Sequence, residues 1–272
     1  MNYCCGSPVL SGTTGFPRLR VSIFLPRRVV YIIRLKNISK TYGGGKVRAV
    51  DNLNLTVPPG EIFGFLGPNG AGKTTTIKIM TGILAPDTGE VELCGVDLLK
   101  EPLRAKRKFG YVPDTSEIFP RLSGLEFLNF VADVYEVPAK LREERIRPLL
   151  KLFSLEGAIN DRIGSYSHGM KQKLLVIASL VHDPDIWILD EPMTGLDPES
   201  SFNLKKLMQD YAARGKTVFF STHILEVAEK LCTTLGIIKK GKLIFTGTME
   251  DLKTQKQEDK SLEELFLELV RS

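Results

Sequence analysis

Long apolar runs are missing from this sequence. No stretch reaches the 18 or more residues that a membrane-spanning helix needs, so any membrane the protein serves must be crossed by another chain. Cysteine is scarce. Cys4, Cys5, Cys94 and Cys232 are the four in 272 residues, and no CxxC spacing joins them. With three histidines beside them, the chain is short of ligands for a metal cluster. Thiols without a pairing pattern fit a reducing, cytoplasmic setting. Acidic residues and lysine are absent from the first 34 positions, where Arg18, Arg20, Arg27, Arg28 and Arg34 all lie. The +5 net charge comes from that stretch, since the remainder balances 32 basic against 32 acidic residues. No nucleic-acid partner is expected, because phosphate-backbone binding asks for a clustered basic face.

Residues 1–28 read as an extension outside the folded core, disordered or translated from upstream of the true start. Met1–Phe16 is rich in Gly, Ser and Thr. Val21–Leu25 is apolar but ends at Pro26-Arg27-Arg28. It lacks the basic-then-apolar order of a signal peptide. A membrane-surface arm built on these arginines and Phe24 is the alternative.

From Val29 the pattern becomes regular. At 43% hydrophobic and 25% charged, a chain of this length buries a full core. Val29–Ile33, Leu35–Ile38 and Leu53–Val57 read as strands, with a turn at Gly43-Gly44-Gly45. Ile62–Leu66 reads as a buried strand and Thr74–Thr81 as a helix. Leu125, Leu128, Val131, Val134 and Tyr135 fall on one helical face, as do Leu141, Ile146, Leu149, Leu150 and Phe153. Ile186–Leu189 and Val218–Phe220 are further buried strands, separated by a helix over Glu199–Ala213. Ile237–Lys239 and Leu243–Phe245 flank a hairpin at Lys240-Gly241-Lys242. Strands alternating with helices imply an α/β fold with a mostly parallel sheet.

Gly67-Pro68-Asn69-Gly70-Ala71-Gly72-Lys73-Thr74 satisfies GxxxxGK[ST]. Chance supplies about one such match per hundred chains of this size, and here a strand precedes it and a helix follows. Backbone N–H groups of such a loop converge at a helix N-terminus, where the dipole favours anions. Lys73 supplies a cation for β- and γ-phosphates, the Thr74 hydroxyl a ligand for Mg²⁺, and Thr75 continues the cradle. The expected ligands are ATP and Mg²⁺. Ile186-Trp187-Ile188-Leu189 ends in Asp190-Glu191. Two acids closing an apolar strand are costly without a cation. Asp190 is expected to hold Mg²⁺ through water, and Glu191 to orient and polarise an attacking water.

Ser165-Tyr166-Ser167-His168-Gly169-Met170-Lys171-Gln172 completes the pattern. It resembles the signature segment of the nucleotide-binding domains of ABC transporters, usually Leu-Ser-Gly-Gly-Gln. Tyr166, His168 and Met170 depart from it, while Ser167 and Gly169 match. The resemblance covers about Val29–Ser272. It implies a P-loop NTPase core with a mostly parallel sheet, an antiparallel β subdomain and an inserted α-helical subdomain near residues 115–165. The domain would run over 29–250, followed by a C-terminal helical tail over 251–272.

It further implies that Ser167 and Gly169 cap the γ-phosphate of ATP bound on a second subunit, set head to tail. By the same resemblance Tyr42 stacks on adenine, Thr194-Gly195-Leu196-Asp197 crosses the dimer interface, and His223 contacts the γ-phosphate. Phe109-Gly110-Tyr111-Val112-Pro113-Asp114 resembles the segment that usually ends in Gln beside the metal. Asp114 is shorter and charged, and reaches a metal through water or is a turn residue.

The resemblance makes the chain an ATPase subunit on the cytoplasmic face of the membrane, working with transmembrane permease subunits, export more than import. Phe119, Leu122, Leu125 and Phe127 are candidates for an apolar docking patch. Ser261–Leu269 is similar to the ending of exporter-type subunits. A non-transport ABC ATPase acting on ribosomes or DNA, or a P-loop small-molecule kinase, are the alternatives. Ribosome-acting relatives carry tandem domains and DNA-repair relatives long coiled coils, and neither is found here. Deleting residues 1–28 is expected to leave ATP hydrolysis intact in a steady-state phosphate-release assay.

Overall fold

The computed structural model describes residues 31–115, 118–256 and 262–271. The extension over 1–28 and the first two residues of the Val29–Ile33 strand lie outside them, as does Ser261. The elements in chain order begin with β1 (Ile33–Tyr42), β2 (Val47–Val57), β3 (Ile62–Leu66), α1 (Lys73–Met80), β4 (Thr88–Leu93), β5 (Val96–Asp97), α2 (Pro102–Lys106) and β6 (Phe109–Val112). Next come α3 (Gly124–Val134), α4 (Ala139–Leu152), α5 (His168–Leu180), β7 (Ile186–Leu189), α6 (Pro198–Ala213) and β8 (Thr217–Thr222). The chain closes with α7 (Leu225–Leu231), β9 (Thr234–Lys239), β10 (Lys242–Gly247), α8 (Met249–Lys256) and α9 (Leu262–Arg271).

One sheet has the order β10-β9-β3-β8-β7-β6 and is parallel except for the β9–β10 edge. Its inner strands β3, β7 and β8 are buried throughout, which explains their apolar runs, while the edge strand β10 is partly exposed. In β7, Ile186 and Ile188 enter one core while Trp187 and Leu189 enter the other. Phe219 and Phe220 of β8 split the same way. The Trp187 indole N–H is satisfied by Ser179 Oγ at 2.9 Å. The second sheet is antiparallel, in the order β2-β1-β4-β5. It shares a core with β3, β7, α1 and β6.

Three expectations change in detail. Among the described residues, Ile33 and the expected Leu35–Ile38 strand belong to one longer bulged strand, β1, which Tyr31 and Ile32 precede, and its irregular register interrupts the alternation. β4 and β5 were not expected, although Val91 and Leu93 alternate with acids in β4. On α3 the buried face carries Gly124, Phe127, Leu128 and Ala132. Leu125 and Val134 are exposed instead of joining Leu128. Phe127 is therefore core, not docking surface, while Phe119 and Phe130 stand exposed in edge-to-face contact at 5.8 Å. The capping box of Ser123 and Glu126 sets where α3 starts, and so which face turns inward.

α3, α4 and two short 3-10 turns form a helical block beside β6 and α5. His182 lies in the seam. Its ring stacks on Tyr135 at 3.6 Å, and its Nε2 lies 3.1 Å from Phe109 O. A carbonyl only accepts, so Nε2 carries the proton. Burial lowers His182 from 6.5 to about 4. A depressed imidazole contributes stability that is present above pH 6.5 and lost as pH falls toward 4. That limb corresponds to about 3 kcal/mol. His182→Gln is expected to flatten it in urea titrations followed by Trp187 fluorescence between pH 7 and 4.

Candidate functional site

β3 ends between β8 and β9, and the chain turns at once through the glycine loop into α1. At Gly67 a Cβ would lie 2.5 Å from Ile238 O. Gly72 has φ 111°, and its Cβ would lie 2.3 Å from Ala49 O. Both clashes are with backbone, so a side chain at either place would displace a strand. Ala71 N–H donates to Pro68 O at 3.1 Å, and Ala71 O accepts from Gly241 N–H at 2.8 Å. The loop is thereby tied to the β9–β10 turn. α1 has no side-chain cap and no acid in its first turn. The early N–H groups, Lys73, Thr74 and Thr75 among them, stay available to an anion in the hollow of the loop.

The buried Lys73 sits in that hollow. Its Nζ donates to Gly67 O at 2.7 Å and lies 3.4 Å from Glu191 Oε1. Glu191 Oε2 meets His223 Nδ1 at 2.9 Å. Glu191 has φ 47°, a left-handed backbone that costs a non-glycine residue about 1–3 kcal/mol. It is held there by its own N–H, which donates to Ser221 Oγ at 2.9 Å. The Ser221 hydroxyl in turn donates to Asp190 Oδ1 at 2.5 Å.

Asp190 is fully buried. Its Oδ2 has no well-formed hydrogen bond among the described residues, with the Thr74 hydroxyl alongside. Burial pushes its carboxyl up, and the charges of Asp114 and Glu191 add to the rise, against the hydroxyls of Ser221 and Thr74. Hard oxygen donors with excess negative charge fit a divalent cation such as Mg²⁺. Asp114 is exposed yet close enough to act on Asp190.

Tyr42 is 42% exposed at the end of β1. It pairs with Val47, two residues before the Ala49 carbonyl that abuts Gly72. Lys73, Thr74, Asp190, Glu191 and His223 are thus joined, with Asp114 in electrostatic reach and Tyr42 on β1, which pairs with the strand that abuts the loop. Ser167 and Gly169 are not joined to them by any hydrogen bond or ion pair among the described residues. Ser167 caps α5 by accepting from Met170 N–H at 3.2 Å. Gly169 lies against Gly195 O, and the His168 ring covers Gly195. Lys173 Nζ reaches Asp197 Oδ2 at 2.8 Å. Ser221 is the member of the cluster that sequence reasoning passed over. No local pattern marks it, since β8 also carries the buried polar residues Thr217 and Thr222.

Residues 50–194 match the family described as ABC transporter. The chain belongs to that family. Nod factor export ATP-binding protein I of Burkholderia lata is 38% identical over 215 residues, covering 79% of this chain and 70% of that protein. The probable multidrug ABC transporter ATP-binding protein YbhF of Escherichia coli is 35% identical over 243 residues, covering 88% of this chain and 42% of that one. A solved ATP-binding subunit of an ABC transporter superposes with a TM-score of 0.84 at 33% identity, over 88% of this chain and 99% of the other. A dimeric ATP-binding cassette bound to ADP and Pi gives 0.73 at 27% identity, over 80% and 98%. The chain is an ATP-binding subunit of the ABC transporter type, with a P-loop NTPase fold. No helix among the described residues is long and apolar enough to cross a membrane.

Ser221→Ala removes one buried and one partly buried hydrogen bond and strands the Asp190 carboxylate. It is expected to lower stability by about 2–3 kcal/mol, read as a lower urea midpoint at unchanged m-value.

Proposed function

We propose that this chain hydrolyses ATP to drive export through transmembrane permease subunits, at the cytoplasmic face of the membrane. The observation that carries the reading is Glu191, set with one oxygen 3.4 Å from Lys73 and the other 2.9 Å from His223. Beside it stands a buried carboxylate with an unused oxygen. A kinase needs its base near an acceptor substrate. Here the base lies beside the phosphate loop, where a water is the nucleophile.

The loop over Gly67–Thr74, with Thr75, grips the phosphates by backbone N–H groups, and Tyr42 stacks on the adenine. Lys73 neutralises the β- and γ-phosphates. Thr74, Asp190 and Asp114 would hold Mg²⁺, which when bound offsets the charge on the same phosphates. Glu191 takes a proton from the water as its oxygen bonds to the γ-phosphorus and the bond to ADP breaks. His223 keeps Glu191 oriented and faces the γ-phosphate.

Ser167 is exposed and Gly169 half-buried, and neither is hydrogen-bonded to the glycine loop among the described residues. The Ser167 hydroxyl proton and the Gly169 N–H at a helix start suit the γ-phosphate of a second subunit. Two copies, or this chain and a close paralogue, then sandwich two ATP molecules head to tail. The export in the name of the Nod factor relative supports direction. The exposed Phe119, Leu125, Phe130 and Val134 on the helical block supply an apolar face for the permease.

Glu191→Gln is expected to bind ATP at wild-type affinity while hydrolysis falls by about 10²-fold or more. It should elute as an ATP-dependent dimer in size-exclusion chromatography. Turnover at the wild-type rate would contradict the role given to Glu191.

A further inference from the structure

β6 lies beside β7, with Tyr111 opposite Ile188. At the end of this ladder, Asp190 N–H donates to Val112 O at 2.9 Å. Tyr111 is therefore next to the Asp190 corner and three residues before Asp114. Its hydroxyl is buried and has no hydrogen-bond partner among the described residues. Burial first, then the charges of Asp190 and Asp114, hold the phenol in its protonated, donating form. One corner thus collects a donor without an acceptor, a buried carboxylate oxygen without a well-formed donor, and an exposed carboxylate. Buried polar atoms without partners are few in folded proteins, and each asks for a reason.

Packing does not supply that reason. The Tyr111 ring rests on the core shared by both sheets. Phenylalanine would fill that place equally well. The residue also lines a cleft of about 330 Å³ together with Phe127, Val131, Tyr135 and His182. The cleft is lined from β6 and from the helical block, so one residue both lines that cleft and feels the charges of the two carboxylates.

We propose that Tyr111 is a positioning residue for the metal site. Its hydroxyl donates to the Asp114 carboxylate, directly or through one water, and turns that carboxylate toward the ion faced by Thr74 and Asp190. The aspartate, one methylene shorter than the glutamine usual at this place, then gains the fixed orientation that its exposed position does not provide. The same residue connects the wall of the cleft to the metal site. This inference rests on reading Thr74, Asp190 and Asp114 as that site.

The test uses the full chain saturated with a non-hydrolysable ATP analogue, with Mn²⁺ as probe and electron paramagnetic resonance as readout. Tyr111→Phe is expected to weaken Mn²⁺ binding about tenfold. Nucleotide affinity measured in EDTA should be unchanged. The thermal midpoint of the chain without nucleotide or metal should not fall, because the ring remains and a hydroxyl unpaired in that state is lost. Asp114→Ala alone should give a similar loss, and adding Tyr111→Phe to it should give no more. Wild-type Mn²⁺ affinity in Tyr111→Phe, or the same tenfold loss in the Asp114→Ala background, overturns the proposal. Asp190→Asn separates the two readings. If it weakens Mn²⁺ and Tyr111→Phe does not, only the role of Tyr111 fails. If Asp190→Asn leaves Mn²⁺ affinity unchanged, the metal-site reading fails and takes this role with it.

Discussion

The carboxylate of Asp190 is fully buried at the end of an apolar strand, and the surrounding structure is arranged to make that tolerable. An isolated buried carboxylate is paid for by protonation, pairing or hydrogen bonds. Here Ser221, from the neighbouring strand β8, covers one oxygen. The same hydroxyl accepts the Glu191 N–H and so fixes the left-handed turn at Glu191. That turn aims the Glu191 side chain back at Lys73 and His223. One hydroxyl therefore fixes both acids, and through them the lysine and the histidine. The parallel register of β7 on β8 brings Ser221 to this place.

The glycine loop obeys a second constraint, which is space. Gly67 and Gly72 face carbonyl oxygens of β9 and of the residue Ala49 in β2, from two different sheets. The loop is wedged where the parallel and antiparallel sheets meet. Its shape depends on both sheets being in register, and so does the direction of the α1 N-terminus. This explains why the antiparallel sheet shares a core with the nucleotide loop instead of packing by itself. The same junction carries Tyr42, since β1 and β2 form one hairpin.

Much of this was legible in the residues alone. GxxxxGK[ST], the Asp190-Glu191 strand end and the histidine after a buried strand each pair a residue type with a local element, and those elements formed. What escaped was information that lies between elements. Ser221 has no local signature; its role arises from a neighbouring strand brought close by folding. Leu125 and Val134 fit a helical period, but the capping box at Ser123 rotates α3 so that Phe127 and Ala132 point inward instead. β1 hides its length because bulges shift its alternation. Periodicity reports the existence of an element well, whereas its phase is set by caps and partners.

The Thr194–Asp197 loop brings the two halves of the site into one frame. Thr194 N–H donates to Glu191 O at 3.2 Å, which ties the loop to the strained turn. Its far end is Asp197, which caps α6 through Ser200 and pairs with Lys173 on α5. Gly195 packs under His168 and against Gly169. A half-exposed pair such as Lys173–Asp197 is worth at most about 1 kcal/mol. Its contribution is therefore geometric more than energetic. A short run of contacts leads from Glu191 to Ser167 within one chain. In the proposed head-to-tail pair those two residues serve different ATP molecules, so a shift of the loop at one site displaces a donor at the other. The departures at His168 and Met170 fall on this path. His168 fills the space over Gly195, so a larger side chain at the variant signature position is accommodated because the facing loop residue has none.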